Sequence, residues 1–277
     1  MPEAAEPRAI LEAVGQAPDG DIRLGLAALA LAALDRPGAG LGRYLDHLAE
    51  LAADVAARAA GGDCGPEDHA RALAAVLAEG HGYGGDRLTY DDPQNANLMR
   101  VIDRKKGLPV ALGILYLDAG LAQGWAIAGL NFPGHFVVGL EAGAARLVLD
   151  PFSGGRLLDI DHLRELLRRL AGPDAPLMPA HALPVGRREV LLRLNNNLKG
   201  RALAAGQAER AAQVMERMTW IAPRAAPLWR EMAELQTRLG NLGRAAEALN
   251  RVLELAESDV QRHEAATALQ ALKRRVN

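Results

Sequence analysis

The C-terminal part of this chain repeats its own pattern with a period of 34 residues. The matched positions carry apolar or small residues, and the pairs are Leu198 with Met232, Gly206 with Gly240, Ala211 with Ala245, Met215 with Leu249, Met218 with Val252 and Ala222 with Ala256. A glycine favours the turn that ends a helix, and alanine lets two helices approach closely. One such unit cannot bury its apolar face alone, so the period predicts helix pairs that stack on neighbouring structure.

The period and its marker residues resemble the tetratricopeptide repeat, in which each unit is a helix–turn–helix. Trp229 falls at the tryptophan position of that repeat, and Pro223 follows the predicted second helix of the first unit. An ordinary helical bundle is the alternative interpretation. Because the concave faces of such repeats commonly bind peptides, we expect a protein or peptide partner, and Trp229 is a candidate ligand-binding residue.

Composition indicates a mostly helical protein with no electrostatic preference for nucleic acid. The length of 277 residues is typical of two domains. Apolar residues make up 49% of the chain and aromatic residues only 4%, so the core is built mainly from Ala, Leu and Val. The 32 basic and 34 acidic residues leave a net charge of -2, and nucleic acid is therefore not expected as a partner.

The sequence also lacks the usual features of metal, disulfide and membrane proteins. Cys64 is the single cysteine, which excludes an internal disulfide and a Cys-based zinc site. The histidines show no metal-binding spacing, so we expect neither a metal nor a cofactor. The N-terminus does not resemble a secretory signal, and the longest apolar run, residues 26–34, is too short to span a bilayer. We expect a cytoplasmic protein that does not act at a membrane, and the sequence leaves its oligomeric state open.

The middle of the chain contains the order of a cysteine-type catalytic triad without its nucleophile. A predicted apolar helix begins at Pro109, His135 follows a Pro-Gly turn, and Asp150 ends the last of three predicted short strands at 126–130, 136–140 and 146–150. In such a triad the thiolate lies at a helix N-terminus, the histidine is its base and the aspartate orients the histidine. The sequence contains no Cys, Ser or Thr between Asp91 and Ser153.

Five motifs, in order, resemble the SirB-type transglutaminase-like family. They are YDDPQNANL (90–98), RKKGLPVAL (104–112), FPGHF (132–136), DPFSGG (150–155) and LNNNLK (194–199). The resemblance runs from about residue 20 to about residue 258. It implies an α+β, mostly helical fold, with a transglutaminase/papain-like core that has a small antiparallel sheet and is followed by an α-helical tetratricopeptide-like repeat region. The implied domains are 1–180, a helical N-terminal segment plus the core, and 185–277, the repeats.

The resemblance assigns a role to each member of the triad. His135 and Asp150 match the histidine and aspartate, and Pro109 takes the position of the nucleophilic cysteine. If the register slipped by two residues, Ala111 would take that position instead. Neither side chain can attack a carbonyl group, so acyl transfer through a covalent intermediate is not expected. Cys64, in a Gly-rich loop, could approach His135 only through an unusual fold-back.

The His135–Asp150 pair has two interpretations. In the first, Asp150 holds one imidazole nitrogen and the other nitrogen acts as a general base on a substrate or water. In the second, the two residues form a structural pair inherited from a catalytic ancestor. The sequence does not decide between them, and whether the protein is an enzyme stays open.

Four further residues are candidate ligand-binding residues, and each has a structural alternative. Asn95 and Asn97 could place amides beside Pro109, or could cap the short helix that follows them. Arg104 lies just before a helix N-terminus and is suited to an anion or an acidic peptide terminus, with a solvated loop as the alternative. Tyr116 lies two helical turns after Pro109, where it would line the cleft floor or fill the core.

These observations favour a pseudoenzyme that serves as a peptide- or protein-binding, regulatory module. The reasons are the retained His135 and Asp150, the lost nucleophile and a repeat type that commonly binds peptides. The alternative is a hydrolase of an amide or ester bond that uses His135 and Asp150 to activate water.

Overall fold

The computed structural model describes residues 6–60, 65–142 and 145–276. The chain divides into two compact units. The core unit runs to Leu194 without Leu11–Gln16, and the repeat unit contains Leu11–Gln16 and the chain from Asn195 onward.

The core unit combines helices with short strands. Its helices are α1 (Pro7–Gln16, which continues into the repeat unit), α2 (Leu24–Ala33), α3 (Gly42–Ala59), α4 (Pro66–Leu73), α5 (Leu98–Arg104), α6 (Pro109–Ala122), α7 (Ile160–Ala171) and the first part of α8 (Arg187–Ala204). A π-helical segment, Ala74–Gly80, follows α4. Its strands are β1 (Gly84–Gly85), β2 (Lys106–Gly107), β3 (Ile127–Leu130), β4 (Val138–Ala142), β5 (Ala145–Asp150), β6 (Arg156–Leu158) and β7 (Pro184–Val185).

Five of these strands form one antiparallel sheet in the order β6-β5-β4-β3-β7. Strands β1 and β2 form a separate parallel pair. One face of the sheet packs against α7 through a cluster of apolar side chains. The buried members of that cluster are Leu130, Phe132, Val137, Val148 and Leu167. The predicted α+β fold with a small antiparallel sheet is therefore confirmed.

Helix α6, like α2, is a buried helix of the core unit. It is apolar on all sides, as expected of a helix that is surrounded by protein. Pro109 starts it, since proline is tolerated where the first N–H group has no partner within the helix. Gly113 allows close packing, because a Cβ atom there would lie 2.4 Å from the Phe136 ring. The first turns of α6 consequently lie against the segment that carries His135.

Most of the predicted elements agree with the structure. The middle strand begins at Val138 rather than at Phe136, because the turn before it extends through Gly134, which has a φ of +69°. Strands β1, β2, β6 and β7 were not predicted, since two or three residues are too few to show alternation. Helix α1 was also not predicted.

The repeat unit contains the rest of α8 and four further helices. These are α9 (Ala208–Ile221), α10 (Ala226–Arg238), α11 (Leu242–Glu254) and α12 (Asp259–Val276). Helices α9 and α11 begin at Ala208 and Leu242, which are 34 positions apart. The paired glycines, Gly206 and Gly240, both have positive φ, at +71° and +77°. The predicted helical repeat is therefore confirmed. Among the described residues, no helix is both long and apolar enough to cross a membrane.

Candidate functional site

His135 and Asp150 lie side by side in the core unit. The pairing of Val138 with Leu149 places the turn before β4 next to the end of β5. His135 Nε2 consequently lies 2.8 Å from Asp150 Oδ1, which accepts the hydrogen bond. Both side chains are nearly buried, with 9% and 8% of their surfaces exposed. The sheet register thus brings together His135 and Asp150, as the order of the motifs predicts.

The Asp150 carboxylate is held in its ionised form. Burial opposes the charge, but hydrogen bonds from His135, the Ser153 side chain and the Phe152 amide lower the pKa of Asp150 below its ordinary value. The Phe152 amide lies 3.0 Å from Asp150 Oδ1. The Phe152 ring stands edge-on to His135, with the ring centres 5.9 Å apart. Asp150 therefore fixes one imidazole nitrogen, and Nδ1 makes no hydrogen bond to any described residue.

Arg193 of α8 holds the turn that carries His135. Its guanidinium donates to Leu130 O at 2.9 Å, Phe132 O at 2.7 Å and His135 O at 3.2 Å. It also lies over the Phe136 ring, 5.5 Å from the centroid. Burial lowers the pKa of Arg193, although an arginine in this range remains charged. Its role is not apparent from the sequence. The signal was a single arginine within the apolar run of residues 190–194.

The helix start that the resemblance assigns to the nucleophile carries no reactive group. Pro109 is the buried first residue of α6, and Ala111 is fully buried two residues later. The backbone N–H of Leu108, just before the helix, donates to Asn95 O at 2.9 Å. The predicted helix N-terminus is therefore present with an apolar side chain at either register.

Tyr116 is fully buried in α6. Its hydroxyl makes no hydrogen bond to a described residue. Burial, with the nearby negative charge of Asp150, raises the pKa of Tyr116. A Cβ atom on Gly155 would lie 2.8 Å from this hydroxyl, so Tyr116 packs against the turn that follows Asp150.

Asn95 and Arg104 belong to one partly buried network with Asp86. Arg104 donates to Asn95 Oδ1 at 2.9 Å and to Asp86 Oδ2 at 2.8 Å. Asn95 Nδ2 donates to Thr89 O at 2.6 Å. Hydrogen bonds from Thr89, together with Arg104, lower the pKa of Asp86 below its ordinary range. The Arg104 charge is thus already paired within the protein.

Asn97 caps helix α5, which is the structural role that the sequence left open. Its side-chain oxygen accepts from Arg100 N at 3.1 Å, which caps α5, and its nitrogen donates to Ala32 O at 3.0 Å. Trp229 belongs to the repeat unit, where Nε1 donates to Pro223 O at 2.8 Å and the Arg251 guanidinium lies over the ring. Cys64 lies outside the described residues.

Two family profiles match this chain. The profile of the transglutaminase-like superfamily matches residues 42–196, and that of a tetratricopeptide repeat matches residues 198–270.

Individual relatives match shorter stretches. A UPF0162 protein of Xylella fastidiosa is 34% identical over 177 residues, which cover 63% of each chain. A UPF0162 protein of Vibrio cholerae is 38% identical over 101 residues, 36% of this chain and 37% of its own. F-box only protein 21 of Mus musculus is 31% identical over 77 residues, 28% of this chain and 12% of its own.

The matched part of this chain therefore spans less than two thirds of the length of the relatives. No solved structure matches. Because the first profile covers more than half of the chain and coincides with the sheet, α6 and the His135–Asp150 pair, the protein belongs to the transglutaminase-like superfamily, and tetratricopeptide repeats follow that domain.

Proposed function

We propose that this chain is a SirB-type transglutaminase-like protein of the cytoplasm that binds a peptide or protein and lacks the nucleophile for acyl transfer. Its functional domains are residues 1–180 and 185–277. The observation that carries the proposal is Pro109 as the buried first residue of α6.

A covalent acyl-enzyme needs an activated hydroxyl or thiol at the start of this helix. Proline has no such group, and Ala111 supplies none in the alternative register. The hydroxyl of Ser153, three residues after Asp150, is hydrogen-bonded to Asp150 and accepts from Arg87 at 3.3 Å. His135 thus has a carboxylate partner, and the start of α6 offers it no nucleophile to activate, which supports a binding role for the core.

A groove in the repeat unit supports the proposed binding role. A groove of about 530 Å³ lies between α10 and α12. The exposed Ala268 and Ala271 contribute apolar surface, while Glu234 and Arg238 contribute charges of both signs. Such a surface is suited to an extended or helical peptide with apolar anchors and flanking charges.

A peptide selection tests this role. A random peptide library is selected on the full-length protein, and an enriched peptide is synthesised and titrated by calorimetry. Arg238→Glu reverses an exposed charge in the groove and is expected to weaken binding about tenfold. Arg244→Glu is the matched control, because Arg244 is exposed on α11 outside the groove, and it should leave the affinity unchanged. Failure to enrich any peptide, or an equal effect of both variants, would contradict the proposal.

The second candidate function is hydrolysis of an amide or ester bond. It is favoured by His135 Nδ1, which makes no hydrogen bond to the described part of the chain while Asp150 orients the ring. A panel of activated esters and amides, assayed with the wild type and with His135→Ala, tests it. Turnover by the wild type that is lost in His135→Ala would support an enzymatic role in place of the binding role. Equal background rates in the wild type and the variant would exclude hydrolysis of these substrates.

A further inference from the structure

The core unit has an open cleft of about 1000 Å³ beside the turn that follows Asp150. Phe152 and Ser153 form one side, and the segment around Arg87 forms another. The same Phe152 ring stands edge-on to His135. The cleft therefore shares a wall with the His135–Asp150 pair without containing either side chain.

The charges of this cleft are strongly unbalanced. Four basic residues line it, namely Arg87, Arg104, Lys106 and Arg156, against the single carboxylate of Asp86. Asp86 is already bonded to Arg104, so these two charges cancel. Arg87, Lys106 and Arg156 form no ion pair with a carboxylate in the described ranges 6–60, 65–142 and 145–276.

The positions of these three cations are set by the fold. Arg87 lies over the Phe152 ring, 5.2 Å from the centroid, and donates to Ser153 Oγ. Arg156 of β6 lies opposite Asp150 of β5 in the backbone register of the sheet. Its guanidinium group contacts His162. Lys106 lies on β2, which pairs with Gly84 of β1. Three segments that are separate in sequence thus place positively charged side chains around one cleft.

We propose that this cleft binds a small organic anion that carries a phosphate group or two carboxylates next to an apolar or aromatic portion. A dianion would relieve the mutual repulsion of the three cations, and guanidinium groups match the geometry of oxyanions. The Phe152 ring and the exposed Leu88 side chain supply apolar surface for the rest of the ligand. The inference goes beyond the proposed peptide binding, since it concerns a separate surface on the core unit.

Calorimetry and NMR titration of the full chain with phenyl phosphate and with phthalate test the proposal. Phenol and dimethyl phthalate are the uncharged controls. We expect saturable binding of at least one of the two anions, weaker at higher salt, and no binding of either control. The anion that binds identifies the source of the charge as phosphate or carboxylate, and either result supports the site.

Three variants locate the site. Arg87→Gln, Lys106→Gln and Arg156→Gln each remove one exposed cation, and each should weaken binding about fivefold or more. Arg168→Gln, an exposed arginine of α7 outside the cleft, is the control and should bind as the wild type does. Circular dichroism verifies that the variants fold. The proposal would be overturned if binding did not saturate at millimolar concentration or if only a polyanion such as tetraglutamate bound. It would also be overturned if the three substitutions left the affinity unchanged.

Discussion

The repeat unit and the core unit differ in how far apart along the chain their decisive contacts lie. In the repeat unit each helix from α9 to α12 packs on the next one in sequence. In the core unit, His135 meets Asp150 from 15 positions away, and Arg193 reaches His135 O from 58 positions away. A periodic sequence encodes a series of neighbouring contacts, whereas the candidate site depends on contacts between distant segments.

The largest expected effect comes from Arg193→Met, which preserves bulk but removes the donors to three backbone carbonyl groups. Buried acceptors without partners are costly, so we expect the free energy of unfolding of the core unit to fall by about 3 kcal/mol. Hydrogen exchange monitored by mass spectrometry reports the two units separately. The matched change Arg244→Met, at an exposed position of the repeat unit, should cost less than about 0.5 kcal/mol. Equal losses would show that Arg193 does not hold the His135 turn.

A second test compares glycines in two helices. Gly113→Ala in α6 places a methyl group 2.4 Å from the Phe136 ring, and overpacking of this kind should destabilise the protein by about 2 kcal/mol. Gly200→Ala in α8 meets no neighbouring atom within 4 Å, and the higher helix propensity of alanine should stabilise it by about 0.5 to 1 kcal/mol. Chemical denaturation measures both changes. Effects of the same sign would contradict the close packing of α6 on Phe136.

The smallest effect concerns the charge of Asp150. Its pKa is lower in the folded state than in the unfolded chain, so its ionisation stabilises the protein above pH of about 4. As the pH falls, the unfolded chain binds the proton first, and this stabilisation is lost toward the folded-state pKa. Asp150→Asn should therefore cost about 1 kcal/mol at pH 7 and progressively less below pH of about 4.

Denaturation series at several pH values measure that difference between wild type and variant. Asp161→Asn, at an exposed position of α7, is the control and should change the free energy of unfolding by less than about 0.5 kcal/mol. A cost of Asp150→Asn that stays constant down to pH of about 3 would mean that the carboxylate charge does not contribute to stability.

Much of the fold was predictable because local chemistry specifies it. Asn97 before α5, Pro109 at the start of α6 and Gly124 after its end are residue types that are favoured where helices begin and end. The three longer strands of the sheet were predicted from runs of aliphatic residues. The two- and three-residue strands were not, because their extended conformation comes from a neighbouring strand rather than from their own sequence.

The candidate site was only partly predictable. The order of Pro109, His135 and Asp150 was visible in the motifs, but the role of Arg193 was not, since one arginine in an apolar helix has many possible partners. The partner of Arg104 was also not predictable from the sequence. Its sequence position suited an anion, yet Asp86, 18 positions earlier, neutralises its charge. Lys106 and Arg156, in contrast, reach the cleft without such a partner among the described residues.

The sequence by itself determined the helical repeat, the helix that starts at Pro109 and the absence of a nucleophile there, because periodicity, capping and side-chain chemistry are properties of short segments. Only the tertiary structure decided which charges are paired, which face the cleft beside Phe152 and what holds His135 against Asp150. Those outcomes depend on the register of β4 and β5 and on side chains that are far apart along the chain. The free energy of such a contact is set by burial and distance rather than by residue type alone.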